Sequence, residues 1–319
     1  MKKETRLFRI NSTRGWLTAT GLVFILTAPF MISEFYLGLI TMMMIRGLLA
    51  LSFNLLYGFT GRLAFGHAAF LGIGAYGVGI LLTRTQIPYP IVLTLAIVGT
   101  SIIAAVIGYF CLRFLTYYFS LLTLAFGQTF FLLTDKWYAL TGGDNGLQGI
   151  LAPAPLSQME VHYYYVFLMT LISVALLWLI VNSPFGSTLR AIRDNRVRAE
   201  FIGINVRRHE WVAFVIAGAF AGLSGALFAT FNQSISPYLM NWTRSAEPVI
   251  MTIMGGPYLF WGPLVGAVIF TALESFVPDL IFELWPMVLG SILIIIVLFF
   301  PEGIVATKLF KHRSPEQSE

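Results

Sequence analysis

The sequence predicts an all-α, polytopic integral membrane protein with about 8–10 transmembrane helices and both termini in the cytoplasm. Of its 319 residues, 57% are hydrophobic and 11% charged, whereas a soluble domain is roughly 45–50% apolar and about 25% charged. The mean hydropathy of +0.80 agrees with this class. At about 20 residues per span, the apolar part has room for roughly eight to ten helices. This composition excludes two large soluble domains and a nucleotide-binding domain of the usual size.

The first half of the chain begins with a basic tail, residues 1–15, followed by an apolar stretch at 16–32. A basic start can mark a cleaved signal peptide. This stretch is too long for the apolar part of such a peptide and lacks an A-x-A-like cleavage site, so it predicts a retained first span. Four further spans are expected at 35–57, 63–82, 90–112 and 114–133.

The second half alternates apolar segments with polar connections. The loop 134–160 contains Thr141-Gly142-Gly143-Asp144-Asn145-Gly146, a composition that favours turns. The region 238–274 is interrupted by Gly255-Gly256-Pro257 and Gly262-Pro263, and interrupted segments of this kind often flank transport pathways. The other spans are expected at 161–181, 211–231 and 284–300.

The distribution of Lys and Arg predicts the orientation. Five lie in the tail 1–15, six in the connection 182–210 and three in the tail 301–319, which makes fourteen of the twenty in the chain. Cytoplasmic loops are enriched in these residues, so all three segments are expected in the cytoplasm, on either side of the transmembrane domain 16–300. The count is ten crossings if the region 238–274 crosses twice, and eight if it and the Gly-rich third segment are partly re-entrant.

Several classes of function lack their sequence signatures. The chain has no G-x-x-x-x-G-K-[ST], H-E-x-x-H or C-x-x-C motif, and its four histidines lie far apart, so we expect no catalytic residue, cofactor or metal site. Glu247 and Glu274 lie at segment ends, and the lack of acids within the spans disfavours a proton- or ion-driven carrier. The net charge of +5 is explained by membrane orientation rather than by binding to nucleic acid.

The charged connection 182–210 predicts a short basic amphipathic helix. Ser187 or Thr188 can cap its start, and Gly203 fits its end. Such a helix either lies at an anionic lipid surface or docks in a groove of another protein. Its apolar residues recur at helical spacing between arginines: Leu189, Ile192, Ala199 and Ile202.

Strings along nearly the whole chain match one known family. The string Arg190-Ala191-Ile192-Arg193-Asp194-Asn195, with Ala199-Glu200 and Gly203-Ile204-Asn205, resembles the cytoplasmic coupling loop of the branched-chain amino acid permeases of ABC importers, and in particular of their M-type subunit. The other matching strings are Leu51-Ser52-Phe53-Asn54-Leu55-Leu56-Tyr57-Gly58, Phe65-Gly66-His67-Ala68-Ala69-Phe70, Thr141-Gly142-Gly143, Gly262-Pro263-Leu264-Val265-Gly266-Ala267 and Phe300-Pro301-Glu302-Gly303-Ile304.

The resemblance implies that import across the inner cell membrane is shared among several different subunits. The partners would be a second homologous permease, two cytoplasmic ATP-binding subunits and an extracytoplasmic solute-binding protein, with lipid around the spans. This chain would carry no ATPase site of its own. Arg190, Arg193 and Glu200 would make charged contacts with the ATPase, while Leu189, Ile192, Ala199 and Ile202 would form the apolar anchor. The residues implied in coupling are Leu189, Arg190, Ile192, Arg193, Asp194, Ala199, Glu200, Gly203 and Ile204.

Candidates for the translocation pathway are the polar residues within the predicted spans: Arg46, Asn54, His67 and Gln128. Arg46 costs a few kcal/mol if unpaired in lipid, so it should face protein, water or a carboxylate. His67 lies among small residues, which favours a packing role. Glycines four residues from another small residue, as in Gly218 and Gly222, favour close helix packing. Nothing in the spans offers an obvious paired acid and base for a zwitterion.

The substrate and the mechanism stay open at this point. Urea and amide permeases share these motifs, so the resemblance favours branched-chain or related amino acids only weakly over them. A sugar permease of the wider superfamily is a further alternative, and only the ligand of its binding protein would distinguish it from an amino acid permease. A single-chain secondary transporter would require ionisable groups within the spans, and a membrane-embedded enzyme would require a cluster of His, Asp or Glu at one depth.

Overall fold

A computed structural model describes residues 31–114 and 116–276, together with the single positions 29, 287, 290, 291, 294, 298 and 303. Apart from a few of these positions, the spans predicted at 16–32 and 284–300 and the two terminal tails lie outside the described residues.

The described part of the chain is almost entirely helical. Its helices are α1 (Glu34–Thr60), α2 (His67–Arg84), α3 (Tyr89–Cys111), α4 (Thr116–Lys136), α5 (Tyr138–Thr141), α6 (Met159–Asn182), α7 (Pro184–Asp194), α8 (Arg196–Phe201), α9 (Val206–Asn232), α10 (Trp242–Gly255) and α11 (Gly262–Phe276). Short 3-10 turns are formed by Gly143–Asn145, Ala154–Leu156 and Pro237–Met240. Two strands, β1 (Leu147–Gln148) and β2 (Ser234–Ile235), pair antiparallel.

Five helices in the described residues are long and apolar enough to cross a membrane: α1, α3, α4, α6 and α9. They confirm the spans predicted at 35–57, 90–112, 114–133, 161–181 and 211–231. Large apolar side chains on α3, α4 and α6 point outward, as Ile102, Leu121 and Leu179 do, whereas α1 and α9 are mostly buried. The chain is therefore an all-α, multi-pass membrane protein whose outer helices face the lipid.

Helix α2 differs from the span predicted at 63–82. Gly61 adopts a left-handed conformation and ends α1, and residues 61–66 run without helical structure before α2 begins at His67. Helix α2 is mostly buried and packs chiefly on α9 and α3. Its glycines allow this close packing, so protein rather than lipid surrounds most of it.

The interrupted region predicted at 238–274 forms two short helices packed against each other, α10 and α11. With 14 and 15 residues, each is shorter than the about 20 residues that a full crossing needs. Helix α10 begins near β2, and the turn that follows it carries Tyr258, whose ring lies 5.1 Å from the guanidinium of Arg193 on α7. The segment therefore extends from the end of the bundle that carries β1 and β2 to the end that carries α7 and α8.

Candidate functional site

The connection between α6 and α9 forms two helices rather than the single helix expected. Ser183 caps α7, accepting a hydrogen bond from Gly186 N at 3.4 Å, and Pro184 is its first residue. The expectation that Ser187 or Thr188 caps the helix is wrong, because both lie within α7. Asn195 is extended and ends α7, and its side chain then caps α8 by accepting from Arg198 N at 2.9 Å. Because Asn195 is a capping residue in the middle of this connection, it favours two short helices over one continuous helix.

Gly203 ends this segment as expected. Its φ is +87°, a conformation that glycine adopts at little cost. Ile204 N then donates to Ala199 O at 3.1 Å, which satisfies a carbonyl in the last turn of α8.

The apolar faces of α7 and α8 point into the chain itself. Leu189 is fully buried, and Ile192 and Ala199 are only 3% and 2% exposed. They are therefore not available as the apolar anchor for an ATPase, and that expectation is corrected. The apolar side chains presented outward are Val197, Phe201 and Ile202, which are 60%, 86% and 70% exposed. Of the four residues expected in the anchor, only Ile202 faces outward.

Arg193 was expected at the rim of a partner, but it binds within the chain. Its Nη1 donates to the carbonyl oxygen of Gly58, at the end of α1, at 2.6 Å, and its guanidinium lies over the ring of Tyr258. Arg193 thus joins α7 to both α1 and the turn after α10. We call residues 183–205, which hold α7 and α8, the coupling segment. Its exposed acidic side chains are Asp194, which pairs with Arg193 at 3.0 Å, and Glu200, which pairs with Arg196 at 3.3 Å.

A second polar contact holds the coupling segment to the bundle. Glu210, in the first turns of α9, accepts two hydrogen bonds from Arg62 at 2.9 and 3.0 Å and a further contact from Arg196 at 3.2 Å. The side chains of Arg62 and Glu210 are 3% and 2% exposed. This cluster connects the non-helical segment 61–66, α8 and α9 in one buried network.

Nearer the β1–β2 end, a cavity of about 280 Å³ lies between α1, α2, α9 and α10. Its charged lining residues are Arg46, Arg244 and Glu247. Arg244 Nη1 donates to Glu247 Oε1 at 2.5 Å. Much of the rest of the wall is apolar: Met42, Ile45, Leu49, Leu71, Phe228 and Leu239.

Arg46 forms an ion pair with Glu274 on α11 and lies over the ring of Phe270. The expectation that it faces a carboxylate is therefore confirmed. The expectation that no acid and base are paired in the spans is wrong, because Arg244 and Glu247 lie together at this cavity. Their spacing of three residues on a helix is the sequence signal that could have found them.

A recess at the β1–β2 end adjoins this cavity. It is lined by Asn145, Gln148 and Ser236, and it shares Asn232 and Arg244 with the cavity. Polar side chains of the recess therefore lie beside Arg244, which lines both the recess and the cavity.

The other three pathway candidates do not line the cavity. His67 is fully buried, lies 2.9 Å from the Ser52 hydroxyl and contacts Phe53 and Phe70 edge-on, which fits a packing role. Asn54 donates to Leu259 O at 3.4 Å and so lies against the turn after α10. Gln128 lies on α4. Within the described residues, no group of three His, Cys, Asp or Glu side chains could hold a metal ion.

The sequence profile of the family described as "Branched-chain amino acid transport system / permease component" matches residues 35–298. The chain belongs to this permease family. The match spans all five long helices, the coupling segment and both short helices α10 and α11. The chain is therefore a permease subunit of the ABC-importer kind.

Individual relatives of the permease agree with this assignment. The high-affinity branched-chain amino acid transport system permease protein LivM of Salmonella typhimurium is 25% identical over 311 residues, covering 89% of this chain and 73% of the relative. The probable branched-chain amino acid transport permease protein LivM of Methanocaldococcus jannaschii is 23% identical, covering 82% and 90%. The autoinducer 2 import system permease protein LsrC of Photorhabdus laumondii is 26% identical over 53% of this chain and 51% of its own length. No solved structure matches the permease significantly.

Proposed function

We propose that this permease imports branched-chain amino acids, with ATP hydrolysis supplied by separate cytoplasmic subunits. It lies in the inner membrane with both termini in the cytoplasm and forms the pathway together with a second homologous permease. Its tails 1–15 and 301–319 flank the transmembrane domain 16–300. An extracytoplasmic binding protein delivers the solute. The observation that carries this proposal is the coupling segment, which turns one apolar face inward and leaves another exposed.

The exposed face of α8 and the residues after it are suited to docking. Phe201 and Ile202 are adjacent, largely exposed and apolar, and the exposed carboxylates of Asp194 and Glu200 flank them. An apolar centre with a charged rim is the usual composition of a protein interface. The two side chains would therefore enter the ATPase groove, while Leu189 and Ile192 hold the segment to the bundle.

Arg193 and Glu210 provide the route by which movement of the segment reaches the pathway. Arg193 connects α7 to the turn that ends α10, and α10 carries Arg244 and Glu247 at its other end. Glu210 connects α8 to the start of α9. Since packed helices move as rigid elements, displacement of the coupling segment by the ATPase would shift α9 and α10 relative to α1.

The docking surface is tested by replacing both Phe201 and Ile202 with Asp. We expect recovery of the ATPase subunits with the tagged permease to fall at least about tenfold, because loss of a side chain that anchors an interface costs about 2 kcal/mol or more and the new carboxylates would be buried without partners. Insertion into the membrane should be unchanged, since both side chains are exposed. The measurement is quantitative mass spectrometry of the complex purified in mild detergent from cells that express all its components.

The matched control is Leu151→Asp, which changes an apolar side chain, 74% exposed, in the loop of the β1–β2 end. It should leave recovery of the ATPase unchanged. Full recovery with the Phe201 and Ile202 double variant would contradict the docking proposal and favour a helix that lies at the lipid surface. Solute transport by the wild-type chain alone, without ATP or other subunits, would contradict the importer proposal and favour a single-chain secondary transporter.

The transmission route predicts that Arg193→Gln separates ATP hydrolysis from transport. Loss of the charged hydrogen bond to the Gly58 carbonyl removes a contact of about 1.5–3 kcal/mol. We expect the ATPase subunits to stay bound and active while the amount of leucine imported per ATP falls roughly tenfold. Parallel assays of uptake and phosphate release in proteoliposomes measure this ratio. Arg198→Gln, an exposed neighbour on α8, is the control, and an equal fall in both variants would argue against a specific route through Arg193.

A further inference from the structure

We propose that the cavity between α1, α2, α9 and α10 holds the amino acid during its passage, with Arg244 contacting the α-carboxylate and Glu247 the α-ammonium group. This inference rests on the proposed function and assigns its substrate site to particular residues. It commits to a neutral α-amino acid with an aliphatic side chain as the ligand.

The charges at the cavity are arranged as a dipole that a zwitterion complements. Arg244 and Glu247 bond through one nitrogen and one oxygen, which leaves the other groups of the guanidinium and Glu247 Oε2 for a ligand. Arg244 Nε is buried and has no hydrogen-bond partner among the described residues. A guanidinium has five N–H donors and a carboxylate can accept about four hydrogen bonds, so the pair can bind a carboxylate and an ammonium group without separating.

The net charge around the cavity favours a neutral ligand. Arg46 also lines the cavity, but Glu274 neutralises that charge from the side of α11. The two cations are thus balanced by two carboxylates. A ligand with a net charge would leave one charge in the cavity unmatched, which is costly where water is partly excluded. A zwitterion adds no net charge.

The size and apolar wall of the cavity fit the rest of the ligand. Its volume of about 280 Å³ is near the lower end of the range for small-molecule sites, roughly 300–1,000 Å³. Leu71, Phe228 and Leu239 form an apolar surface beside the charged pair. An aliphatic side chain would be buried there, whereas urea or a small amide would leave this surface uncovered.

Access to the cavity is provided from the side on which a binding protein would dock. The recess lined by Asn145, Gln148 and Ser236 leads to Arg244. In the opposite direction, α10 joins the charged pair to Tyr258, which contacts Arg193 of the coupling segment. Pro248 lies within α10 and removes one helical hydrogen bond, so the helix can bend between the pair and the turn. The site therefore lies between the entry path and the segment that ATP hydrolysis moves.

The direct test is photolabelling of the whole importer complex, purified without its binding protein, with a leucine analogue that carries a diazirine. Mass spectrometry of the peptides should place the label in 42–49, 68–71 or 228–247. Excess leucine should prevent labelling, whereas urea and acetamide at equal concentration should not. Label confined to other segments, or prevented equally by the amides, would overturn the assignment.

Variants of the charged pair test the two contacts. Arg244→Gln and Glu247→Gln should each lower this labelling, and leucine uptake into proteoliposomes with loaded binding protein, on the order of 10- to 100-fold, because each removes a charged hydrogen bond. Lys136→Gln, which removes an exposed charge paired with Asp135 at the same end, is the control and should leave both measurements unchanged.

Exchanging the charges of Arg244 and Glu247 tests whether the pair binds the substrate or only stabilises α10. The double variant Arg244→Glu with Glu247→Arg restores an ion pair on α10 but reverses its dipole, which would turn the aliphatic side chain away from Leu71 and Phe228. We expect the complex to assemble and leucine uptake to stay low. Recovery of uptake to the wild-type rate would show that the pair only stabilises α10 and would overturn the proposal. If the wild-type complex binds no ATPase and imports no leucine, the proposed function fails instead.

Discussion

Glu210→Gln is expected to destabilise the permease more than any other single charge removal in its described part. Glu210 and Arg62 are both almost fully buried and form two hydrogen bonds. Removing one member of a buried ion pair typically costs about 3–5 kcal/mol, because the remaining charge loses its countercharge in a medium of low polarity. We expect a fall in Tm on the order of 10 °C in detergent and a lower yield of monodisperse protein. Thermal unfolding followed by tryptophan fluorescence measures the shift.

Glu200→Gln is the matched control, because Glu200 pairs with Arg196 by an exposed contact on α8. Exposed pairs of this kind contribute about 0.3–0.5 kcal/mol, so its Tm should stay within about 2 °C of the wild type. Replacing both Arg62 and Glu210 with Met should recover part of the stability that Glu210→Gln loses, since apolar side chains of similar volume often substitute well for a buried pair. Equal shifts in the two Glu→Gln variants would show that burial of the pair is not what stabilises the bundle.

Gly225→Ala is expected to open the contact between α2 and α9. A methyl group at Gly225 would overlap the backbone carbonyl oxygen of Leu71, and on the same interface Gly74 faces the backbone of Gly222. Backbone atoms cannot move aside as a flexible side chain does, so the helices would separate and lose contact along the interface. Overpacking of this kind costs about 1–3 kcal/mol, and occasionally more. The expected result is a lower Tm together with reduced leucine uptake, since α2 and α9 both line the cavity.

Gly99→Ala makes the same chemical change on α3, where a methyl group meets no atom within 4 Å. Alanine favours a helix over glycine by about 0.5–1 kcal/mol, so this variant should be as stable as the wild type or slightly more so. The two substitutions therefore have opposite expected signs. A neutral Gly225→Ala variant would mean that α2 and α9 do not approach as closely in the membrane as described.

The helices that cross the membrane could be predicted from local sequence because hydropathy is a sum over neighbouring residues. Five predicted spans agree with α1, α3, α4, α6 and α9 within a few residues. The break in the region 238–274 was also visible, since Gly256 and Pro257 end a helix wherever it packs. The start of α2 was missed because residues 63–66 continue the apolar pattern of the predicted span, whereas the structure holds them in a non-helical segment against α4 and α9. Ser120 on α4 bonds to Leu63 O, and Glu210 on α9 binds Arg62.

The direction in which side chains point could not be predicted in the same way. The spacing of Leu189, Ile192 and Ala199 correctly indicated one apolar face, but an apolar face is equally suited to a partner and to the chain itself. The structure buries this face internally and leaves Phe201 and Ile202 outside. Similarly, Arg193 has the sequence environment of an exposed charge, yet it binds the Gly58 carbonyl 135 residues away.

By itself, the sequence determined the fold class, the order of the long helices and membership of the permease family, because hydropathy and motifs are properties of short segments. Only the tertiary structure decided which charges meet. Arg62 and Glu210 are separated by 148 residues and Arg46 and Glu274 by 228, and Arg244 faces a cavity whose other walls come from α1, α2 and α9. Burial of a charge is favourable only when a countercharge arrives from elsewhere in the fold. The sites of this permease therefore depend on helix packing that no local pattern specifies.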